Sequence, residues 1–255
     1  MRKALVLFGS EIERETLIDT AIYLKRTLGF KLEALYVRDV ERERVLSTPD
    51  GLVMAGRVPL MLQGWNAVEQ AEIENIKKCF KEKGLEEELN LDIGHIADVV
   101  TEHMKTSDIL VLGKNDILND KIIAILKANY KSMLIVGEKP LTAMENIYLG
   151  NDNGVKISRS IYHFIHLFPD VKEFHSITIN KEIDKNKVVE YLEQNDKKVE
   201  ICDLTSDDYK VILETVNKAD LFIMGNMSRS YFLEKIIGKN GVKLLEKSKA
   251  PIFIG

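Results

Sequence analysis

The sequence predicts an α/β fold: two tandem doubly wound domains, each a five-stranded parallel sheet with helices on both faces, related by pseudo-twofold symmetry. Three observations carry this expectation. Short apolar runs alternate along the chain with stretches of helical period, the pattern of strands joined by right-handed crossovers. Two of those runs, Ile109–Leu112 and Leu221–Met224, are apolar at every position, as in strands buried on both faces. The third observation is a repeat. Lys105-Thr-Ser-Asp-Ile-Leu-Val-Leu-Gly113 matches Asn217-Lys-Ala-Asp-Leu-Phe-Ile-Met-Gly225, with Asp220 standing 112 positions after Asp108.

Two further pairs keep the same order. Lys131-Ser-Met-Leu-Ile-Val-Gly137 matches Lys249-Ala-Pro-Ile-Phe-Ile-Gly255, and Lys3-Ala-Leu-Val-Leu-Phe-Gly9 matches Glu145-Asn-Ile-Tyr-Leu-Gly150. Ordered matches of this kind read as a tandem duplication. The domains are expected at 1–138 and 145–255, with the join at the polar, proline-containing segment 138–145.

The elements follow in order. A first strand fits Lys3–Phe8. Leu17, Ala21, Leu24 and Leu28 then mark one face of a helix. Ser10-Glu-Ile-Glu13 offers a capping box at its start and Gly29 a C-terminal stop. A second strand covers Leu32–Val37. The connection 38–65 follows, with Val53, Met54, Val58, Leu60, Met61 and Leu62 among glycines and prolines. Connections this long are functional or cover something, so it either lids a pocket or packs on the other half. Val68, Ala71, Ile76, Cys79 and Phe80 mark a second helix. A third strand spans Glu88–Ile93, a helix Ile96–Met104, and Ile109–Leu112 and Lys131–Gly137 complete the first sheet. The second half repeats the series. Its strands are expected at Glu145–Gly150, Phe174–Ile179, Lys198–Cys202, Leu221–Met224 and Lys249–Gly255. Its helices are expected through Ile157 to Phe168, a shorter one near 185–194, and 207–216.

Composition narrows the function classes. A net charge of −4 over 255 residues supplies no basic footprint for nucleic acid. No apolar run reaches the ~18–20 residues that span a bilayer, and the N-terminal apolar run is too short for a signal peptide. Two cysteines without a C-x-x-C context fit a reduced, cytoplasmic compartment. His163 and His166 stand three apart on a helix, a spacing compatible with a metal, but with no third ligand nearby in sequence they read as helix-surface positions. No Ser-His-Asp or Cys-His arrangement stands out, so the chain is expected not to be an enzyme.

In doubly wound sheets ligands bind beyond the carboxyl ends of the strands, at the switch point. The candidate stretch is therefore the one after the second half's fourth strand, from Met224 to Asn240: M-G-N-M-S-R-S-Y-F-L-E-K-I-I-G-K-N. It matches neither G-x-G-x-x-G nor G-x-x-x-x-G-K-[ST]. Its frame, Gly225-x2-Ser228-x9-Gly238-Lys239, resembles the G-x2-G-x9-G-[ST] of nucleotide-binding universal stress protein domains. An acidic residue, Asp152, stands just after the half's first strand, where that family also has one. The resemblance covers the whole chain as a tandem-type universal stress protein.

What the resemblance implies is a stress-response protein that holds ATP or a related adenine nucleotide across the switch point of the second half, with Mg²⁺ as an optional companion. Gly225, Ser228, Gly238 and Lys239 would form the phosphate end, Asp152 would take the ribose or adenine edge, and Thr178 would lie nearest the base. Two positions depart from the pattern. Ser228 adds a Cβ that costs on the order of 1 kcal/mol if a left-handed backbone is needed there. Lys239 exchanges a hydroxyl for a cation. In the first half, Lys131 follows Gly113 by 18 residues, whereas Lys249 follows Gly225 by 24, and Phe8 is read as standing in the place of Asp152. No nucleotide is expected there. The alternative is a non-nucleotide scaffold of the same family. Any ATP hydrolysis would be slow and incidental. The expected partner is a small-molecule nucleotide, with no nucleic acid and no membrane. The expected state is a monomer with an intramolecular pseudo-dimer, or a homodimer.

Overall fold

The computed structural model describes residues 1–9, 14–40, 58–114, 120–179, 186–204, 209–225 and 239–255, with side chains of 58–63, 65 and 239–242 excepted. The chain builds an α/β fold around one sheet. Its strands are β1 (Lys3–Phe8), β2 (Lys31–Asp39), β3 (Leu89–Gly94), β4 (Ile109–Gly113), β5 (Ser132–Val136), β6 (Ile147–Gly150), β7 (Glu173–Ile179), β8 (Lys198–Leu204), β9 (Leu221–Met224) and β10 (Ile252–Ile254). The order across the sheet is β3-β2-β1-β4-β5-β10-β9-β6-β7-β8. Read inward from either edge, the two sets of five follow the same sequence order.

Every neighbouring pair is parallel but one. At the middle, β5 and β10 run antiparallel, pairing Ile135 with Ile252, Leu134 with Phe253 and Met133 with Ile254. No pattern in the sequence announces this joint. It means that the carboxyl ends of β1–β5 and of β6–β10 point to opposite rims of the sheet.

The period of two along each strand sends side chains into two layers. On one face Ala4, Val6 and Phe8 join α1 (Arg14–Arg26), α2 (Val58–Lys83), α5 (Val155–Leu167) and α6 (Lys187–Gln194). On the other, Leu5 and Leu7 join α3 (Ile96–Met104), α4 (Asp120–Ala128), α7 (Tyr209–Val216) and α8 (Lys239–Lys247). Each layer runs unbroken through both halves. Phe253 lies at the joint, fully buried, with its ring 5.1 Å from Phe164 and 6.1 Å from Phe168.

The sequence signals act locally as expected in several places. Gly29 ends α1 with φ +69° while Phe30 N–H returns to the Leu24 carbonyl at 3.0 Å, the left-handed stop that glycine adopts without Cβ strain. Asp108 and Asp220, the matched acids of the repeat, do the same work twice. Asp108 accepts the Lys3 N–H at 2.7 Å, and Asp220 accepts the Asn146 N–H at 2.8 Å. Each thereby fastens the start of its half's first strand.

Two expectations change. The connection after β2 is shorter than 38–65, because β2 runs to Asp39 and α2 already begins at Val58; its remainder, with Val53 and Met54, lies outside the described residues, as does the Ser10 capping box. The segment 138–145 is more than a tether. Leu141 is fully buried, and its N–H donates to the Thr20 hydroxyl at 2.9 Å. Arg2 also crosses the halves, donating to the Leu28 carbonyl at 2.6 Å and to the Leu167 carbonyl, with its guanidinium 4.8 Å above Phe30.

A shared core predicts joint unfolding. Urea denaturation followed by circular dichroism and by fluorescence should give one coincident transition, and Phe253→Ala should lower stability by about 3–5 kcal/mol. Two resolved transitions, one per half, would contradict the continuous layers.

Candidate functional site

The switch point of the second half lies between β6 and β9, which pair in parallel from Ile147–Leu221 to Leu149–Ile223. Beyond β6 the chain reads Asn151-Asp152-Asn153-Gly154 before α5 begins at Val155. Asp152 is exposed, and its Oδ1 accepts the Gly154 N–H at 2.8 Å. The carboxylate therefore sits just ahead of α5, on the N–H of its cap residue Gly154, where the helix dipole favours an anion. Gly154 permits this fold-back, since a Cβ there would stand 2.9 Å from Asp152 Oδ1.

Gly225 reaches the same helix from the β9 side. A Cβ on it would lie 3.1 Å from Lys156 Cβ and 3.2 Å from Ile157 N. Glycine suits the close approach of β9's end to α5, where a Cβ would press on the helix backbone. Asp152 and Gly225 thus both lie against the start of α5. Thr178, near the end of β7, is buried, and its hydroxyl donates to Asp203 Oδ1 on β8 at 3.2 Å. Ser228 and Gly238 lie outside the described residues. Lys239 opens α8, with its side chain also outside them.

Sequence reading missed the polar network beside Asp152. Asn151 is 6% exposed, and its Nδ2 donates to Ser176 Oγ and to Asn186 Oδ1, both at 3.0 Å. Its Oδ1 accepts the Asn153 N–H at 2.9 Å, holding Asn153 at φ +55°. Asn186 also caps α6 through the Val189 N–H at 3.2 Å. The available signal was the Asn-Asp-Asn-Gly run after a strand, rich in residues that turn the backbone through their own side chains.

Strand register corrects one equivalence. Ala4 pairs with Ile109 as Ile147 pairs with Leu221, so Phe8 stands in the place of Asn151, and Gly9 in that of Asp152. In the same way Leu5–Glu33 matches Tyr148–His175, which sets Tyr36 in the place of Thr178. The expected match of Phe8 with Asp152 was one residue out, because an ungapped motif alignment does not carry register. The first half consequently has two buried aromatics, Phe8 and Tyr36, where the second has Asn151 and Thr178. Phe80 of α2 packs edge-on against Phe8 at 5.1 Å.

A cavity of about 220 Å³ lies among Lys139, Pro140, Lys218, Asp220 and Pro251, at the amino ends of β9 and β10 and so across the sheet from the switch point. Among the described residues no set of three His, Cys, Asp or Glu side chains could hold a metal. His166 is exposed with Nδ1 2.7 Å from the Tyr162 carbonyl. Burial, then Arg159 and His166, push the His163 pKa down. Cys202 is free, and burial followed by Glu200 raises its pKa, which opposes a reactive thiolate. No helix among the described residues is long and apolar enough to cross a membrane.

With this geometry in place, likeness to solved structures is informative. A universal stress protein from Archaeoglobus fulgidus DSM 4304 superposes with a TM-score of 0.67 at 13% identity, over 98% of this chain and 94% of that one. The chain has the fold of a universal stress protein. A protein of unknown function from Pseudomonas aeruginosa PAO1 gives 0.55 at 14% identity, over 99% and 92% of the two chains. One from Pseudomonas aeruginosa UCBPP-PA14, provisionally described as a universal stress protein, gives 0.56 at 12%, over 99% and 92%. No family model and no curated protein matches the sequence.

Within this fold a cluster of charges lies away from the switch point. His103, in the last turn of α3, has Nε2 2.6 Å from Asp92 Oδ2 and Nδ1 against Glu33, which Lys3 also engages. Both ring nitrogens face carboxylates, so both must carry protons. Burial opposes the charge, but hydrogen bonds to Asp92 and Glu33 outweigh it and hold the pKa above 6.5. Burial likewise opposes Glu33's ionisation, yet bonds from Lys3 and His103 keep its pKa below 4.5.

The signs define a window. A raised His103 pKa stabilises fully below the unfolded value of 6.5 and loses that contribution as pH rises through the folded value. A lowered Glu33 pKa contributes above its unfolded value and loses it as pH falls through the folded one. His103→Gln should therefore cost about 1–3 kcal/mol near pH 6, shrinking toward pH 9, as read from urea midpoints. A pH-independent cost would refute the imidazolium assignment.

Proposed function

We propose that this chain is a tandem universal stress protein, with domains at 1–138 and 145–255 related by a pseudo-twofold axis, acting in the stress response. In this reading the second domain binds ATP or a related adenine nucleotide, with Mg²⁺ as an optional companion, and the protein signals by conformation rather than by turnover. Supporting the tandem arrangement are the mirrored strand order and the end-to-end coverage of a chain of similar length.

The observation that carries the nucleotide reading is the contrast at matched positions. Where the first half places Phe8 and Tyr36 in its core, the second places Asn151 and Thr178, with Asp152 exposed beside them. An apolar plug suits a closed crevice, while a rim of amide, hydroxyl and carboxylate suits a polar ligand at the carboxyl ends of strands. Asp152 keeps one carboxylate oxygen, Oδ2, for which no bond to Gly154 is needed. Gly225, Ser228, Gly238 and Lys239 supply the phosphate end through the resemblance. The chain is proposed to act in the cytoplasm, which suits two free cysteines. It is proposed as a monomer, because the β5 and β10 edges are already used on each other.

A second reading, a scaffold without nucleotide, has its own support. Thr178 and Asn151 are bonded within the protein, and Gly225 is accounted for by packing on α5. Equilibrium dialysis with labelled ATP separates the two. Binding is expected at or below millimolar concentration, and Asp152→Ala should weaken it at least tenfold. No binding at millimolar ATP sinks the nucleotide reading, and native mass spectrometry showing no retained nucleotide would favour the scaffold.

A further inference from the structure

Strand β3 is an outer edge of the sheet and pairs with β2. Among the described residues no strand covers its other side. The Gly94 carbonyl points inward, to the Val40 N–H at 3.2 Å. Backbone groups alternate in direction along a strand, so those of Leu89, Leu91 and Ile93 face outward. An edge of this kind is a template for another chain. Its side chains are not those of a protected edge. Leu91 is 49% exposed and Ile93 69%, both on the face where Leu89 is buried. On the other face stand Asn90 and Asp92, and the Asp92 charge is offset by His103 Nε2 at 2.6 Å.

The opposite edge, β8, is built differently. Lys198, Glu200 and Asp203 are exposed along it, and such charges discourage edge pairing. By contrast, β3 has a chemistry that matches itself. Laid antiparallel about a twofold axis at Leu91, two copies set Leu91 opposite Leu91, Leu89 opposite Ile93 and Asn90 opposite Asp92. The first two pairs use the outward backbone groups, each exchanging N–H···O bonds, and their side chains form one apolar row. The third falls at the close spacing of about 4.5 Å between Cα atoms, where the Asn90 amide can donate to the Asp92 carboxylate. Moving the axis by one residue sets Asp92 opposite Asp92, or Asn90 opposite Asn90, and loses the match.

We propose that β3 is a self-pairing edge, through which the sheets of two copies of this chain join in an antiparallel β3–β3 contact. The β5–β10 joint is the same kind of contact made inside the chain. The inference goes beyond the function proposed above and rests on neither its nucleotide nor its loop. The monomer named there is the unit that pairs. A strand of six residues covers less than the ~800 Å² per partner of a standard interface, so the pairing is a reversible equilibrium between monomer and dimer.

Sedimentation equilibrium of the full chain, from micromolar to millimolar concentration, should show the mass rising from 29.1 kDa toward twice that value and no further. Leu91→Lys should abolish the rise. Asn90→Asp sets like charges opposite each other and should weaken pairing by about threefold or more. Adding Asp92→Asn should restore it, since amide and carboxylate are then exchanged. Register is read separately. Under mild oxidation Leu91→Cys should cross-link to itself, because hydrogen-bonded pairs stand about 5.5 Å apart at Cα, within reach of a disulfide. Ile93→Cys, which faces Leu89, should cross-link no faster than wild type with its Cys79 and Cys202. A chain that stays monomeric at millimolar concentration, growth beyond a dimer, or a dimer indifferent to Leu91→Lys would overturn the proposal. So would equal cross-linking by the two cysteine variants, or no recovery in the double variant.

Discussion

Three residue pairs between β5 and β10 govern how the rest of the molecule is arranged. Strands that close a doubly wound sheet present an edge of unpaired backbone groups, which tends to recruit another strand. Here Ser132–Val136 and Ile252–Ile254 satisfy one another, and the row of Leu134, Ile135, Phe253 and Ile252 is wholly buried by the layers on each side. Without that joint Phe253 would lose its packing on Phe164 and Phe168, and the buried Lys114 would lose the Glu246 and Ser248 carbonyls to which its Nζ donates. The two core layers continue across the middle because this single antiparallel pairing keeps the sheet unbroken.

The halves that share this sheet have diverged most where strands one and two end. In the first half Phe8, Tyr36 and Phe80 are buried aromatic rings, and their burial strengthens that half's core. At matched positions the second half carries amide and hydroxyl groups whose hydrogen bonds compensate their burial. A polar network of that kind contributes less to stability than close-packed apolar groups, yet it holds a loop in one defined shape. Asn153 stays in a left-handed conformation because Asn151 accepts its N–H. Asparagine visits that conformation more readily than most residues, so the turn is held at small cost.

Much of the fold was legible because its signals are local. Asp108 and Asp220 announced two strands through a repeated acid, and the structure explains them as clasps on Lys3 and Asn146. Gly29 announced a helix end. The helices α4 and α8 were not anticipated: Asp120–Ala128 has isoleucines at 122, 123 and 125, and nine residues are too few for their period to decide. The β5–β10 pairing left no mark in sequence, since contact between distant strands depends on register and packing. Of the candidate site, Asp152 and Gly225 were legible through spacing. The Asn151–Ser176–Asn186 network was not, as its members come from three separated segments. The equivalence of Phe8 slipped by one residue because a motif match does not carry strand register.

The opposed rims also limit how the halves can influence each other. A doubly wound pair joined with parallel edges would open both crevices toward one side, where a single long ligand or one partner could touch both. Here the crevices face away from each other, roughly a sheet's height apart. A molecule seated at Asp152 therefore has no direct line to Phe8 and Tyr36. Any coupling between the halves would have to run through elements that cross the sheet's height, in the manner of a lever and not of a bridge.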